Sequence, residues 1–234
     1  MAHGADLEGK HVVVSGGAGA LGRAVVDAFL EAGAICHVPS RGPAPLDMPR
    51  SERLRVVPGV DLAAEAQVSA FYAALPGLWA SVHAAGGFAM SAMIETSLAA
   101  FRAQQDVNLV TAFLCCREAA RRMTAAGGGG RIVNVSSRAA LEPAAGAIAY
   151  AVSKAGVVAL TAGLAEELKA HDVLVNAVLP SIIDTPTNRN SIPAPPDVAA
   201  RWPKPADIAA TIVWLASPSN KLTSGAAIPV YGKI

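Results

Sequence analysis

Short apolar runs alternate with longer amphipathic stretches along the whole chain. HVVVS, from His11, reads as a strand, and an amphipathic helix follows to about Ala32. AICHV and LRVVP read as strands, AEAQVSAFYAAL as a helix and WASVHAA as a strand. A long helical region is expected from about Leu98 to Ala126. It is followed by the strand RIVNVS and a second alanine-rich helix through AIAYAVSKAGVVALTAGLAEEL. DVLVNAVL, PADIAATIVWLAS and AAIPV complete the pattern as strand, helix and strand. Near-continuous apolar strands separated by helices predict a parallel sheet covered on both faces. The expected fold is a single doubly wound α/β sheet, Rossmann-like, in one domain spanning residues 1–234.

Two stretches break the rhythm. Pro39 to Arg53 is proline-rich and too broken for the usual crossover helix. Pro180 to Pro205 holds seven prolines and follows a strand C-terminus, where open α/β sheets bind ligands. Its position predicts a substrate lid at about 181–205.

Composition narrows the function classes. Hydrophobic residues make up 53% and aromatics only 5%, so the core must be aliphatic. Lys and Arg number 19 against 18 Asp and Glu, a net charge of +1 that gives no reason to expect nucleic acid or an anionic membrane as partner. No apolar run is expected to reach the roughly 20 residues that span a bilayer. The segment MAHGADLEGK is polar and lacks the layout of a signal peptide. Cys36, Cys115 and Cys116 have no zinc-ligand spacing and read as reduced core thiols, which predicts a cytoplasmic protein.

The candidate chemistry lies in three places. Ser15-Gly16-Gly17-Ala18-Gly19-Ala20-Leu21-Gly22 joins the first strand to the first helix. Small residues there let backbone approach a pyrophosphate, and a helix N-terminus supplies amide donors. At the tip of the second strand, Val38-Pro39-Ser40-Arg41 carries no acid that would hold a ribose 2′-hydroxyl. An Arg there suits a 2′-phosphate, so the expected cofactor is NADP(H). Tyr150 and Lys154 stand four residues apart, on one face of a helix, with Ser137 upstream. An ammonium beside a phenol favours the phenolate, so Lys154 is expected to depress the Tyr150 pKa.

With these elements in order, the chain resembles the short-chain dehydrogenase/reductase family over essentially its whole length. The thirteen-residue step from Ser137 to Tyr150 is the family's own. The resemblance implies further roles. Asn108, in DVNL, matches the Asn that supports a water beneath the catalytic Lys. Asp61, followed by Leu62, matches the acid that contacts adenine. Ala84, Ala85 and Gly86 fall at the family's Asn-Asn-Ala-Gly turn, and Pro180, Ile183 and Thr185 at the segment that holds the carboxamide. It also implies a homodimer or homotetramer built on the helix bearing Tyr150 and the long helix before it.

Several residues depart from the family pattern. Ala20 replaces the second glycine of the phosphate turn, Ser181 the glycine after Pro180, and Val230-Tyr231-Gly232-Lys233 stands where Val-Asp-Gly-Gly is usual. His83-Ala84 replaces paired asparagines, which is expected to remove a side-chain tie between neighbouring strands. GGAGALG, AAGGF and DTPTNRNSIP look like dihydropteridine reductases, but those enzymes lack a counterpart of Ser137 and carry an acid where Ser40 stands.

The expected reaction is hydride exchange between the nicotinamide and a small carbonyl or alcohol. Tyr150 is the expected acid/base, Ser137 the hydrogen-bond donor to the developing oxyanion, Lys154 the ribose ligand and Asn108 its link to solvent. The alternatives are a pterin or imine reductase and a non-catalytic NADP sensor. His83 is read as a packed or hydrogen-bonded histidine, Cys115 and Cys116 as core, and Arg189 as solvated. Trp202 is left open between lid anchor and substrate platform.

Overall fold

The computed structural model describes residues 7–43, 45 and 48–233. Seven strands form one parallel sheet: β1 (His11–Ser15), β2 (Ile35–Pro39), β3 (Leu54–Val57), β4 (Ala80–His83), β5 (Gly130–Val135), β6 (Val173–Pro180) and β7 (Ala227–Val230). Their order is β3-β2-β1-β4-β5-β6-β7 and every pairing is parallel. The chain reverses its direction of travel across the sheet between β1 and β4. There Ser15 is in register with His83, and a crevice opens at the strand C-termini.

The helices are α1 (Ala20–Glu31), α2 (Glu65–Ala73), α3 (Leu98–Gln105), α4 (Thr111–Ala126), α5 (Ile148–Glu167), α6 (Pro186–Ser191), α7 (Pro196–Ala199) and α8 (Pro205–Ala216). β1 shows why its run is apolar throughout. Val12 and Val14 face α1 and α8, among Val25, Val26, Phe29, Ile208 and Ile212. Val13 faces the other way, among Val68, Phe71, Leu114, Cys115 and Met123. Alternating side chains both meet core, so no polar residue fits between them.

Three expectations change, and the open question of Trp202 is decided. The long helical region is interrupted at Asp106–Val110 by one wide π turn, which separates α3 from α4. The stretch 181–205 is not wholly irregular: Thr185 caps α6, accepting from the Asn188 N–H at 3.2 Å, and prolines open α6 and α7. Trp202 is buried there and anchors the segment. Helix α5 has 20 residues and is apolar enough by length and composition to cross a bilayer, contrary to the sequence expectation. Here it is a sheet-covering helix with Lys154 on its buried face. Between β2 and β3, no described residue is helical.

Candidate active site

The glycine-rich turn folds back on itself between β1 and α1. Gly16 has φ +71°, and a Cβ there would lie 2.6 Å from the Ala85 nitrogen. A Cβ on Gly22 would lie 2.1 Å from the Gly16 carbonyl oxygen. Only glycine permits both approaches. The turn is also tied to the β4 terminus, because Ala84 N–H donates to the Ser15 carbonyl at 3.1 Å. Gly19 caps α1 without any side-chain hydrogen bond, which leaves the first amides of α1 without a side-chain acceptor, and Ala20 is exposed beside it. Leu21 packs partly into the core beneath.

Ser40 continues β2, donating from its N–H to the Val57 carbonyl at 2.9 Å, and Arg41 is exposed just beyond it. The Asp61 carboxylate accepts from the Ala63 N–H at 3.0 Å, which closes the turn holding Leu62. Pro180 ends β6, Ile183 packs against the core and Thr185 is buried at the start of α6. The lid's first turn borders a cleft of about 660 Å³ against α1, lined by Ala24, Thr185, Arg189 and Lys204 among others. Arg189 is not simply solvated: it grips Asp184 through Nε and Nη2, at 2.5 and 2.9 Å. The Ser181 hydroxyl donates to the Tyr231 carbonyl at 2.7 Å, which ties two of the departures from the family pattern to each other.

Tyr150, Lys154, Ser137 and Asn108 converge over the ends of β4 and β5. Lys154 is only 5% exposed, and its ammonium donates to the Val135 carbonyl at 2.9 Å. Burial lowers its pKa to about 8. Asn108 lies in the π turn, a distortion common at functional sites. Its side chain clasps Gly87 from both directions, accepting from the Gly87 N–H at 3.0 Å and donating to the Gly87 carbonyl at 2.9 Å. A Cβ on Gly86 would lie 2.6 Å from Asn108 Oδ1 and 3.3 Å from Lys154 Nζ, so the Ala84–Gly86 turn threads between them.

One expectation about Tyr150 is corrected. Burial raises its pKa, and the group that pulls it back down is Ser137, through a side-chain hydrogen bond, not Lys154. The Lys154 ammonium stands 5.9 Å from the centre of the Tyr150 ring, engaged with Val135. Burial therefore holds Tyr150 on the protonated side.

A second correction concerns β4. His83 does not lose the tie between strands; it makes it. Its Nδ1 lies 2.8 Å from Asn134 Oδ1, its register partner on β5. Cys115 and Cys116 are buried in the same core, where burial pushes the Cys115 thiol up to about 12 and the Cys116 thiol well above its usual range. Two contacts were missed from sequence: Phe88, edge-on to Tyr150 with ring centroids 4.9 Å apart, and the Gly87–Asn108 clasp. Phe88 lies in the AAGGF run, where the only available signal was an aromatic just after a strand end.

This geometry belongs to a nucleotide-dependent oxidoreductase fold, and comparison with known proteins agrees. The family model for short chain dehydrogenases matches residues 10–195. The chain is 30% identical to L-xylulose reductase of Bos taurus over 240 residues, 97% of this chain and 96% of that protein. It is also 30% identical to 3beta-hydroxysteroid dehydrogenase 1 of Eggerthella lenta, over 97% of this chain and 94% of that one. A solved short chain dehydrogenase/reductase family protein superposes with a TM-score of 0.87 at 28% identity, covering 97% of both chains. The chain belongs to the short-chain dehydrogenase/reductase family, whose members are oxidoreductases that use a nicotinamide cofactor.

Proposed function

We propose that this protein is an NADP(H)-dependent reductase of small carbonyl compounds, with Tyr150 as the proton donor. The observation that carries the reading is the convergence of Tyr150, Ser137 and Lys154 beside a turn where a Cβ on Gly16 or Gly22 would collide with backbone. That tight, side-chain-free cradle ahead of the uncapped start of α1 suits a dinucleotide pyrophosphate. Ser15, Gly16, Gly19, Ala20, Leu21 and Gly22 would hold it, with Ser40 and Arg41 at a 2′-phosphate and Asp61 and Leu62 at the adenine. Ala84, Ala85, Gly86, Pro180, Ile183 and Thr185 would line the nicotinamide end. Bound there, the dinucleotide supplies the hydride.

The chain's own residues manage the proton and the charge. Tyr150, kept protonated by burial, donates its phenolic proton to the carbonyl oxygen. The Ser137 hydroxyl holds the same oxygen as its charge grows. Lys154, with its pKa lowered to about 8, can return a proton to Tyr150 near neutral pH. Asn108 fixes the Gly86–Gly87 backbone over Lys154.

We further propose that the oxidoreductase is a cytoplasmic homodimer or homotetramer. Phe113 on α4 and Val152 on α5 are 45% and 46% exposed, apolar surface of the kind subunits cover. The test is NADPH and NADH consumption against ketones, aldehydes and a quinonoid dihydropterin, with Tyr150→Phe alongside. Carbonyl reduction with NADPH, lost in Tyr150→Phe, is expected. Pterin reduction alone, above all with NADH, would favour the pterin reductase. Dinucleotide binding without turnover of any compound would favour a sensor.

A further inference from the structure

The space in front of Tyr150 is bordered by apolar side chains left open to solvent. Phe88, edge-on to Tyr150, remains 58% exposed, and Met90 61%. Their loop is fastened to the segment before α5, since Ser91 N–H donates to the Gly146 carbonyl at 2.8 Å. A Cβ on Gly146 would touch Met90 Cε at 3.3 Å, so Met90 lies directly over that segment. From it, Leu141 and Ile148 are 54% and 41% exposed. These four side chains come from the two segments that flank Ser137 and Tyr150.

The polar side chains of the same segments are few and engaged largely with one another. Arg138 spends Nε and Nη2 on the Glu142 carboxylate, at 2.9 and 2.7 Å, and lies over the Tyr231 ring. The Ser91 hydroxyl donates to the Ala92 carbonyl, and in the lid Asp184 and Arg189 neutralise one another. A substrate with a hydroxyl on each carbon needs convergent donors and acceptors to replace lost water, and these segments do not supply them. A hydrocarbon body loses nothing there and gains by covering exposed Phe, Met, Leu and Ile. The named relatives range from a sugar reductase to a steroid dehydrogenase, so kinship does not choose between the two classes.

Resting on the carbonyl-reductase reading, we propose that the substrate is an apolar ketone or aldehyde whose hydrocarbon body packs on Phe88, Met90, Leu141 and Ile148. Its carbonyl reaches Tyr150 and Ser137.

The experiment measures kcat/KM for a series of unbranched methyl ketones of increasing length, and for ketoses of matched carbon number, with NADPH and NADH both supplied. The expected result is a rise of about three- to fourfold per added methylene over the first few members. The apolar ketone should also exceed the matched ketose by about a hundredfold. Phe88→Ser and Leu141→Ser should each flatten that slope. Leu141, unlike Phe88, does not form the ring contact that holds Tyr150, so Leu141→Ser keeps the test sound if Phe88→Ser misplaces the tyrosine. Preference for the ketoses, turned over in a Tyr150-dependent way, would overturn the substrate class while leaving the reductase reading intact. A slope unchanged by both serine variants, with the oligomer dissociating instead, would assign these side chains to a subunit contact and equally overturn it. Reduction of no carbonyl at all would remove the reductase reading and this inference with it.

Discussion

His83 and Asn134 face each other across β4 and β5, with Nδ1 and Oδ1 2.8 Å apart, and the surrounding bonds fix which atom donates. The Thr161 hydroxyl donates to the Val157 carbonyl, so it must accept from Asn134 Nδ2, at 2.9 Å. Asn134 Oδ1 is therefore the acceptor toward His83, and the proton sits on Nδ1. His83 Nε2 then accepts from the Ser81 hydroxyl at 2.8 Å, and Ser81 accepts from Tyr72 at 2.8 Å. The result is a directed chain of buried bonds from α2, through both strands, to α5. Its strand ends carry the Ala84–Gly87 turn and the Val135 carbonyl that receives Lys154.

That chain predicts an order among His83 variants. His83→Ala takes the ring donor from Asn134 Oδ1, which keeps only the weaker Cys116 thiol at 3.3 Å, removes the acceptor of the Ser81 hydroxyl proton and opens a cavity, for a cost of about 2–4 kcal/mol. His83→Asn restores a donor toward Asn134 and should lose less. Urea midpoints of the two variants check it; equal losses would mean the bond to Asn134 contributes nothing.

Acid should weaken the fold before it touches the carboxylates. Burial holds His83 near pKa 4, and burial with the neighbouring His11 and Arg55 charges holds His37 near 4 as well. His37 shares a 2.9 Å bond with His11. Both are expected to take up a proton near pH 6.5 when unfolded, so the unfolded chain binds more protons between 6.5 and 4. Stability is full above pH 6.5 and falls through that window, by roughly 2 kcal/mol per histidine at pH 5. Denaturant unfolding at pH 7 and pH 5 reads the difference; identical midpoints would contradict it.

Lys154 is charged at neutral pH at the expense of the fold. Its pKa of about 8 lies below the unfolded 10.5, so the folded chain holds this proton less tightly. Lys154→Met should raise the Tm of the cofactor-free protein by about 2–4 °C while reducing turnover severely. A fall in Tm would show that the bond to Val135 outweighs the burial cost.

On the proposed NADP(H) reading, Arg41 bears the cofactor preference. Arg41→Ala should weaken NADPH binding about 10- to 100-fold, the loss expected of one charge-assisted contact, and leave NADH binding nearly unchanged. Titration of each dinucleotide, followed by quenching of protein fluorescence, distinguishes this from a general loss.

Gly16 tests the cradle. Gly16→Ala must place a methyl 2.6 Å from the Ala85 nitrogen at φ +71°, and should abolish binding of both dinucleotides and lower stability. Retained binding would place the pyrophosphate elsewhere.

The unbroken valine run of β1 announced a strand buried on both faces, and Ser15 to Gly22 announced a turn that only small residues could make. Ser137, Tyr150 and Lys154 were legible because helical spacing and a fixed step set them on one face. The π turn at Asn108 was not legible, because an i to i+5 bond leaves no mark on apolar periodicity. Nor was the role of His83. A histidine at a strand end has no visible partner until β5 lies alongside and brings Asn134, 51 residues away, to bonding distance.

What the sequence determined by itself was local: which runs become strands, where backbone must come close, and which side chains share a helix face. These follow from short-range sterics and from the periods of strand and helix. What only the tertiary structure decided was long-range. Burial turned Tyr150 toward the protonated state and Lys154 away from the charged one. Register paired His83 with Asn134, and loop packing set Phe88 against the Tyr150 ring and Met90 over Gly146. Those outcomes depend on desolvation and on neighbours distant in sequence, and both come into being when the sheet assembles.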